Sequence, residues 1–318
     1  MKLGSLASRY LNKVVYKNID KCDKSSEVGP EIGNDFAVFG TISADGSGDD
    51  PSVAFYKALN NFSCSFTRCE YLRIAMILPE KVKESEIDRY MKCFHELAYN
   101  HGIRIVGGDS KVVSYITSPH FVCTMFGGLD SELDIIGTDV CDRKIIAESD
   151  IVCAGNASIL GTNILLKEQG DLLSGKLAKR FISSSAYNEN EYSTSPVFDI
   201  INRLDLKESC EIYHAHDVSD GGVYRALWEI GERFNKGLII ENNRIPIEQK
   251  TIEICEAIDI NPYMIDGTGS VLFVCKKGRE LAEILKENGI AASVIGHITN
   301  DKERLVNIAD DYYRKLEP

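Results

Sequence analysis

The chain lacks any hydrophobic run long enough to span a bilayer: nowhere in its 318 residues is there a stretch approaching the ~18 apolar positions a membrane helix needs. The segment Met1 to Tyr16 is broken by Lys2, Arg9 and Lys13 and holds no continuous apolar core of the kind a signal peptide carries. There is no excess of positive charge either. Asp and Glu total 48 against 36 Lys and Arg, a net charge of -12, which argues against non-specific binding to nucleic acid or anionic membranes. Ten cysteines are present without a single CxxC pair, and Cys64 and Cys69 have no His or Cys partners at zinc-site spacing, so they read as reduced thiols of a cytoplasmic protein. No repeat of fixed period occurs.

What is present is core-forming material. Hydrophobic residues make up 44% and charged residues 26%, and the length suits two domains at ~100 to 200 residues each. An acidic protein can still bind a polyanion such as ATP when metal ions stand between them.

The first half reads as a sheet-rich domain with one clear helix. Phe36 to Ile42, Leu72 to Leu78 and Thr117 to Phe126 are strand-like runs. Ser85 is placed to cap a helix carrying Ile87, Met91, Phe94 and Leu97 at helical spacing, which Gly102 stops. Ile103 to Val106 reads as a strand running into Gly107, Gly108 and Asp109. Between Gly127 and Ser149 periodicity fades, which puts the boundary near residue 148 and gives domains 1–148 and 149–318.

The second half alternates helices and strands: a strand over Ile151 to Ala154, a helix over Ile159 to Glu168, and a polar stretch from Ser183 to Ser195 expected as a mobile loop. Ser219 is placed to cap a helix to Phe234 with Val223, Ala226, Leu227 and Ile230 on its apolar face. A helix over Ile247 to Ile258, a strand over Ser270 to Cys275, a helix over Glu280 to Asn288 and a strand over Ala292 to Ile298 follow. The whole predicts an α+β protein with two open-faced sheet domains.

Asp35, Asp45 and Asp109 are expected in loops at strand ends, where carboxylates distant in sequence can meet around a magnesium ion. Gly107 and Gly108 would let backbone amides approach a phosphate, with Lys111 adding positive charge. Glycine and aspartate are also ordinary turn residues, and that reading stays open for each. Asp49 and Asp50, before Pro51, read as a solvated turn. In His216-Asp217-Val218-Ser219-Asp220-Gly221-Gly222, ahead of a helix, the helix start favours an anion, yet Asp220 could satisfy it without a ligand, and His216 reads equally as a hydrogen-bonded structural histidine. Trp228 is expected in the core, and Tyr312 and Tyr313 packed on the domain.

In order along the chain, these pieces resemble a known superfamily. Gly29 to Val38 is similar to a glycine-Asp-Asp-Ala-Ala-Val segment, Ala58-Leu59-Asn60-Asn61-Phe62 falls where Ala-Asn-Asp is found, and Val106-Gly107-Gly108-Asp109-Ser110-Lys111-Val112-Val113 is close to Gly-Asp-Thr-Lys-Val-Val. His216 to Leu227 resembles a His-Asp-Val-Thr-Glu-Gly-Gly signature, Gly267 to Leu272 a glycine-Ser turn before a late strand, and Met1 to Leu6 the opening of some members. The superfamily is that of aminoimidazole ribonucleotide synthetase (PurM), the hydrogenase-maturation factor HypE, selenophosphate synthetase and thiamine-monophosphate kinase.

The resemblance implies a PurM-like two-domain protein, a homodimer whose amino-terminal domains share a β-barrel, with Mg2+ and ATP between domains and a small-molecule acceptor phosphorylated on oxygen. It implies Asp35, Asp45 and Asp109 as magnesium ligands, Asn60, Asn61, Gly107, Gly108 and Lys111 on the nucleotide, and His216 with Asp217 on the acceptor side. Two positions depart from the pattern: Asn34 stands beside Asp35 and Asn61 beside Asn60 where acids are expected, which keeps oxygen ligands but removes charge. HypE ends in a cysteine that carries its thiocarbamoyl group, whereas this chain ends Arg314-Lys315-Leu316-Glu317-Pro318, so that self-dehydration is not expected here. The alternatives are a non-catalytic nucleotide-binding relative and a kinase of the thiamine-monophosphate type.

Overall fold

A computed structural model of the chain describes Lys13, Val15 and residues 32–128, 148–309 and 312–316. The opening Met1 to Leu6, Cys22, Gly29 to Glu31, Cys141, most of the aperiodic stretch before residue 148, and the final two residues lie outside the described residues. Among those described, two compact units appear: residues 35–128, and residues 32–34 together with the chain from 148 onward.

In the first unit, β1 (Ala37–Val38), β2 (Ile42–Gly48), α1 (Pro51–Ser63), β3 (Tyr71–Pro79), α2 (Glu84–Asn100), β4 (Arg104–Val113) and β5 (His120–Gly127) follow one another. The strands form a five-stranded sheet in the order β1-β2-β5-β3-β4, antiparallel except for β3 with β4. Alternation decides which face is covered. Ile42, Ala44, Phe121, Cys123, Met125, Leu72, Ile74 and Leu78 are buried. Phe121 meets Tyr90 and Phe94 of α2 edge to face at 5.0 and 5.6 Å, and Gly46 abuts α1 so closely that a Cβ would lie 2.2 Å from Ala58 N. The other face carries half-buried Val122, Phe126, Ala75 and Ile77 and exposed Asp45 and Arg73.

Several expectations are corrected here. The run Phe36 to Ile42 is not one strand: the chain bends at Gly40, φ +73°, with Phe39 N donating to Thr41 O at 3.0 Å, and β2 begins at Ile42. The unit has two helices rather than one. Asp50, expected as a solvated turn, caps α1, its Oδ1 accepting from Ser52 N at 2.9 Å and Ser52 Oγ at 2.7 Å, while Pro51 pre-sets the first helical φ. The cap position of α2 is Lys83, not Ser85, with Glu86 Oε2 accepting from Lys83 N at 2.9 Å. Strand β4 does not stop at Val106 but continues to Val113.

The second unit contains β6 (Asp150–Ala154), α3 (Ile159–Glu168), α4 (Gly170–Ser174), α5 (Lys179–Ser184), α6 (Ser195–Arg203), α7 (Leu206–Ser209), β7 (Ile212–Val218), α8 (Gly222–Phe234), β8 (Gly237–Glu241), α9 (Gln249–Ala257), β9 (Ser270–Cys275), α10 (Gly278–Glu287), β10 (Ala292–Thr299), β11 (Arg304–Ala309) and β12 (Tyr312–Lys315). Its seven-stranded sheet runs β12-β11-β8-β10-β6-β9-β7, with only β11 and β8 parallel.

Helices lie on both faces of this sheet, which corrects the open-faced expectation. Val223, Ala226, Leu227 and Ile230 of α8 share one core with Ile151, Cys153, Leu272 and Val274. Asp150, one position out of phase with Ile151, points to the opposite face and accepts from Gly278 N at the start of α10. The polar stretch Ser183 to Ser195 is not a loose loop: Tyr187 and Tyr192 are buried, and Asn163 accepts from Tyr187 N at 2.9 Å while donating to Tyr192 Oη at 2.6 Å. Trp228 is half-buried against the core under the Arg304 guanidinium, 4.2 Å from its ring centre. Tyr312 and Tyr313, expected to pack, are 65% and 41% exposed.

Candidate active site

Each unit carries one set of the expected site residues. In the first, Asp35 precedes β1 and Asp45 sits mid-way along β2, exposed, rather than in a loop. The β1–β2 register, with Ala37 opposite Ser43 and Val38 opposite Ile42, runs back towards Asp35 on one strand and on towards Asp45 on the other. Asn61, on α1, donates Nδ2–H to Asp45 O at 2.8 Å, a contact a carboxylate could not make. Asn60 is fully buried.

Asp109 is likewise in a strand, not a loop. In the order β2-β5-β3-β4 it stands three strand spacings from Asp45, roughly 14 Å at ~4.8 Å per strand. Lys111 Nζ lies 3.1 Å from Asp109 Oδ2 with both side chains exposed. Gly108 has a packing reason to be glycine: a Cβ there would fall 1.7 Å from Ile74 O on β3, whereas beside Gly107 nothing lies within 4 Å. Among the described residues no three His, Cys, Asp or Glu side chains converge as a metal-holding group. Asp35 and Asp45 nevertheless offer the hard oxygen donors of a magnesium site, since that ion is commonly held by one or two carboxylates plus substrate phosphates.

The second set lies at the end of β7, an edge strand with all seven residues buried. His214 and His216 point the same way, stacked at 6.0 Å with 26° between their planes. His216 Nε2 lies 3.1 Å from Glu229 Oε2 on α8, and Glu229 Oε1 accepts from Arg225 Nε at 2.9 Å. Burial pushes the Glu229 carboxyl up, but its hydrogen bond and charge contact with His216 and the Arg225 guanidinium bring it below the usual carboxylate range. Because an ionised carboxylate only accepts, Nε2 of His216 donates, and in the neutral ring Nδ1 is the basic nitrogen. Behind it, burial first, then Arg233 and His216, hold His214 well below the usual imidazole range, so it is neutral at pH 7. His214 also meets Phe234 edge to face at 5.1 Å.

The turn after β7 differs from the expectation at its cap. Ser219 makes no side-chain cap; Gly221 holds that position at φ +85° and Ser219 O accepts from Gly222 N at 2.9 Å and Gly267 N at 3.0 Å. Gly222, φ +67°, passes so close to the next segment that a Cβ would lie 2.5 Å from Tyr263 O and Ile265 O. This pins the 266–270 turn, in which Asp266 Oδ1 accepts from Thr268 N and Oγ1 and Ser270 Oγ donates to Gly267 O, against the end of β7.

The family model described as AIR synthase related protein, C-terminal domain, matches residues 148–307, half of the chain, and takes in both β7 and this turn. The chain belongs to that family. A putative hydrogenase expression/formation protein of Methanocaldococcus jannaschii is 23% identical, covering 95% of this chain and 90% of that protein. Carbamoyl dehydratase HypE of Azotobacter vinelandii is 21% identical, covering 82% of this chain and 73% of its own length. A structure of hydrogenase maturation protein HypE in complex with ATP superposes with a TM-score of 0.71 at 17% identity, covering 99% of this chain and 95% of that one. The α+β fold is therefore of the PurM and HypE type, and this chain is a HypE-like member of the AIR synthase related family.

Sequence reasoning named His216 but missed its partners in the family domain. The alternation in His214-Ala215-His216 signals a strand with both imidazoles on one face, and Arg225 with Glu229 is an i,i+4 pair on a helix. Those two signals mark the imidazole face and the ion-paired helix face, and the packing of α8 on β7 brings Glu229 beside His216.

Proposed function

We propose that this AIR synthase related protein is an ATP-dependent enzyme of the HypE type that phosphorylates an oxygen of a small molecule or of an amide or carbonyl group. The observation that carries the reading is the buried His216, oriented by Glu229 and followed by Asp217 and the Gly221–Gly222 turn within the matched family domain. The ATP-bound HypE neighbour supports the nucleotide.

In this reading Asp35 and Asp45 hold magnesium. The ion, when bound, supplies neutralisation of the charge on the phosphates. Asn61 fixes the β2 backbone at Asp45, and His216, its Nε2 held by Glu229, stands with Asp217 on the acceptor side. Asp109 and Lys111 neutralise one another and belong to a separate cluster on β4. The protein acts as a homodimer through the half-buried face of the first unit's sheet, where Val122, Phe126, Ala75 and Ile77 alternate, and its place of action is the cytoplasm.

A second reading, a non-catalytic nucleotide-binding relative, is favoured by Asn34 and Asn61 and by the distance of Asp109 from Asp45. An ATP-hydrolysis assay against a panel of small amides, carbonyls and alcohols separates the two. Acceptor-dependent ADP release supports the enzyme, and nucleotide binding without turnover for any acceptor supports the binder.

A further inference from the structure

A cavity of about 260 Å³ opens in the second unit far from the His216 motif, floored by Val294, Gly296 and His297 of β10 and walled by Asp150, Glu241, Arg244 and Arg279. The hollow forms where β10 bulges between Val294 and Gly296, breaking its register against β6. Cys275 pairs with both Asp150 and Ile212, whereas Val271 pairs with both Ala154 and Asp217. The cavity and His216-Asp217 thus lie at opposite ends of the sheet, roughly 13 Å apart along the strands at ~3.3 Å per residue.

The polar groups of the walls are unevenly satisfied. Asp150 Oδ2 accepts from Gly278 N at 2.9 Å, and Glu241 Oε2 accepts from Asn307 Nδ2 at 3.1 Å. Arg244 and Arg279, by contrast, meet no acceptor among the described residues. One guanidinium comes from the turn after β8 and the other from the first turn of α10, so two forked donors from independent elements rim the same hollow. Forked guanidinium donors match the oxygens of phosphate, and His297 adds a third nitrogen ligand at the floor. The hollow has room for a phosphate with a small body.

We propose that this cavity binds a small phosphate monoester, with Arg244 and Arg279 on the phosphate oxygens and the remaining lone pairs of Asp150 and Glu241 accepting from hydroxyl or ammonium groups on the body. The site does not depend on the ATP reading. Calorimetry of the full chain with inorganic phosphate and with glycerol 3-phosphate, at ionic strength matched with chloride, tests it. The expected result is saturable binding of both, tighter for the ester, and at least about a tenfold loss for both in Arg244→Gln/Arg279→Gln, as expected when charged contacts of ~1.5 kcal/mol or more are removed. Both arginines are exposed, so the variant should keep the wild-type melting temperature, and its ATP titration should match wild type. Absence of saturable phosphate and ester binding to the wild type, or equal binding by the double variant, overturns the proposal.

Discussion

His216 and Glu229 form a closed strand-to-helix contact: Nε2 of the histidine on β7 lies 3.1 Å from Oε2 of the glutamate on α8, with the side chains 5% and 20% exposed. Thirteen residues apart in sequence, they meet because β7 and α8 reverse at the Gly221–Gly222 turn. The hydrogen bond expected of a structural histidine is present, and it also fixes which ring nitrogen is basic.

Glu229→Gln is expected to lower stability by ~1 to 3 kcal/mol, because it weakens the hydrogen bonds to His216 and Arg225 in a mostly buried place. Any acceptor-dependent ATP turnover should fall about tenfold or more, because Glu229 orients His216 on the acceptor side. Urea unfolding and acceptor-dependent ADP release check both.

Stability should depend on pH through His214. Its folded pKa is depressed by burial, Arg233 and His216, whereas the unfolded chain titrates near ~6.5. Below that value the unfolded state binds the proton and the native state does not, so stability falls as the pH drops from about 6.5 towards the folded value. Glu229 adds a second, lower window: its stabilisation is present above its unfolded value of about 4.5 and is lost as pH falls through the depressed folded value. His214→Leu should remove the upper slope and keep the lower one, measured by urea midpoints from about pH 8 to about pH 2.5.

Asp50→Ala should destabilise the chain by ~0.5 to 2 kcal/mol through loss of the α1 cap. Asp50→Ser should recover most of it, since serine also caps. Urea midpoints at constant slope are the readout.

How legible this fold was varied with how local its causes are. The helices at Glu84–Asn100 and Gly222–Phe234 bury stripes that their own spacing displays, and β9 is a short apolar run between turns. Helix α1 was hidden because it buries residues almost all round, Ala54, Phe55, Tyr56, Ala58, Leu59 and Phe62, so no stripe stands out. Asp50-Pro51 did carry a start signal. Strand β4 looked like a loop at Gly107-Gly108 because only the approach of Ile74 on β3 explains the glycine. Tyr187 and Tyr192 are held by Asn163, a tie between segments more than 20 residues apart that local polarity cannot show. For the site, the motif residues were visible as types, whereas the distance of Asp109 from Asp45 follows from strand order alone.

Light scattering at micromolar concentration should give twice the 35.3 kDa chain mass. A charge on the half-buried sheet face, Val122→Lys, should give the single mass with the fold intact by circular dichroism. A wild-type monomer would remove the dimer.

The central claim is a magnesium-dependent nucleotide site at Asp35 and Asp45, and calorimetry of ATP into the full chain, with magnesium and with EDTA, tests it most directly. The account predicts heat with magnesium only, affinity reduced tenfold to a hundredfold by Asp45→Asn (a charge-assisted contact of ~1.5 to 3 kcal/mol), and little change with Asp109→Asn. ATP binding that ignores both EDTA and Asp45→Asn, or no binding at all, would contradict it.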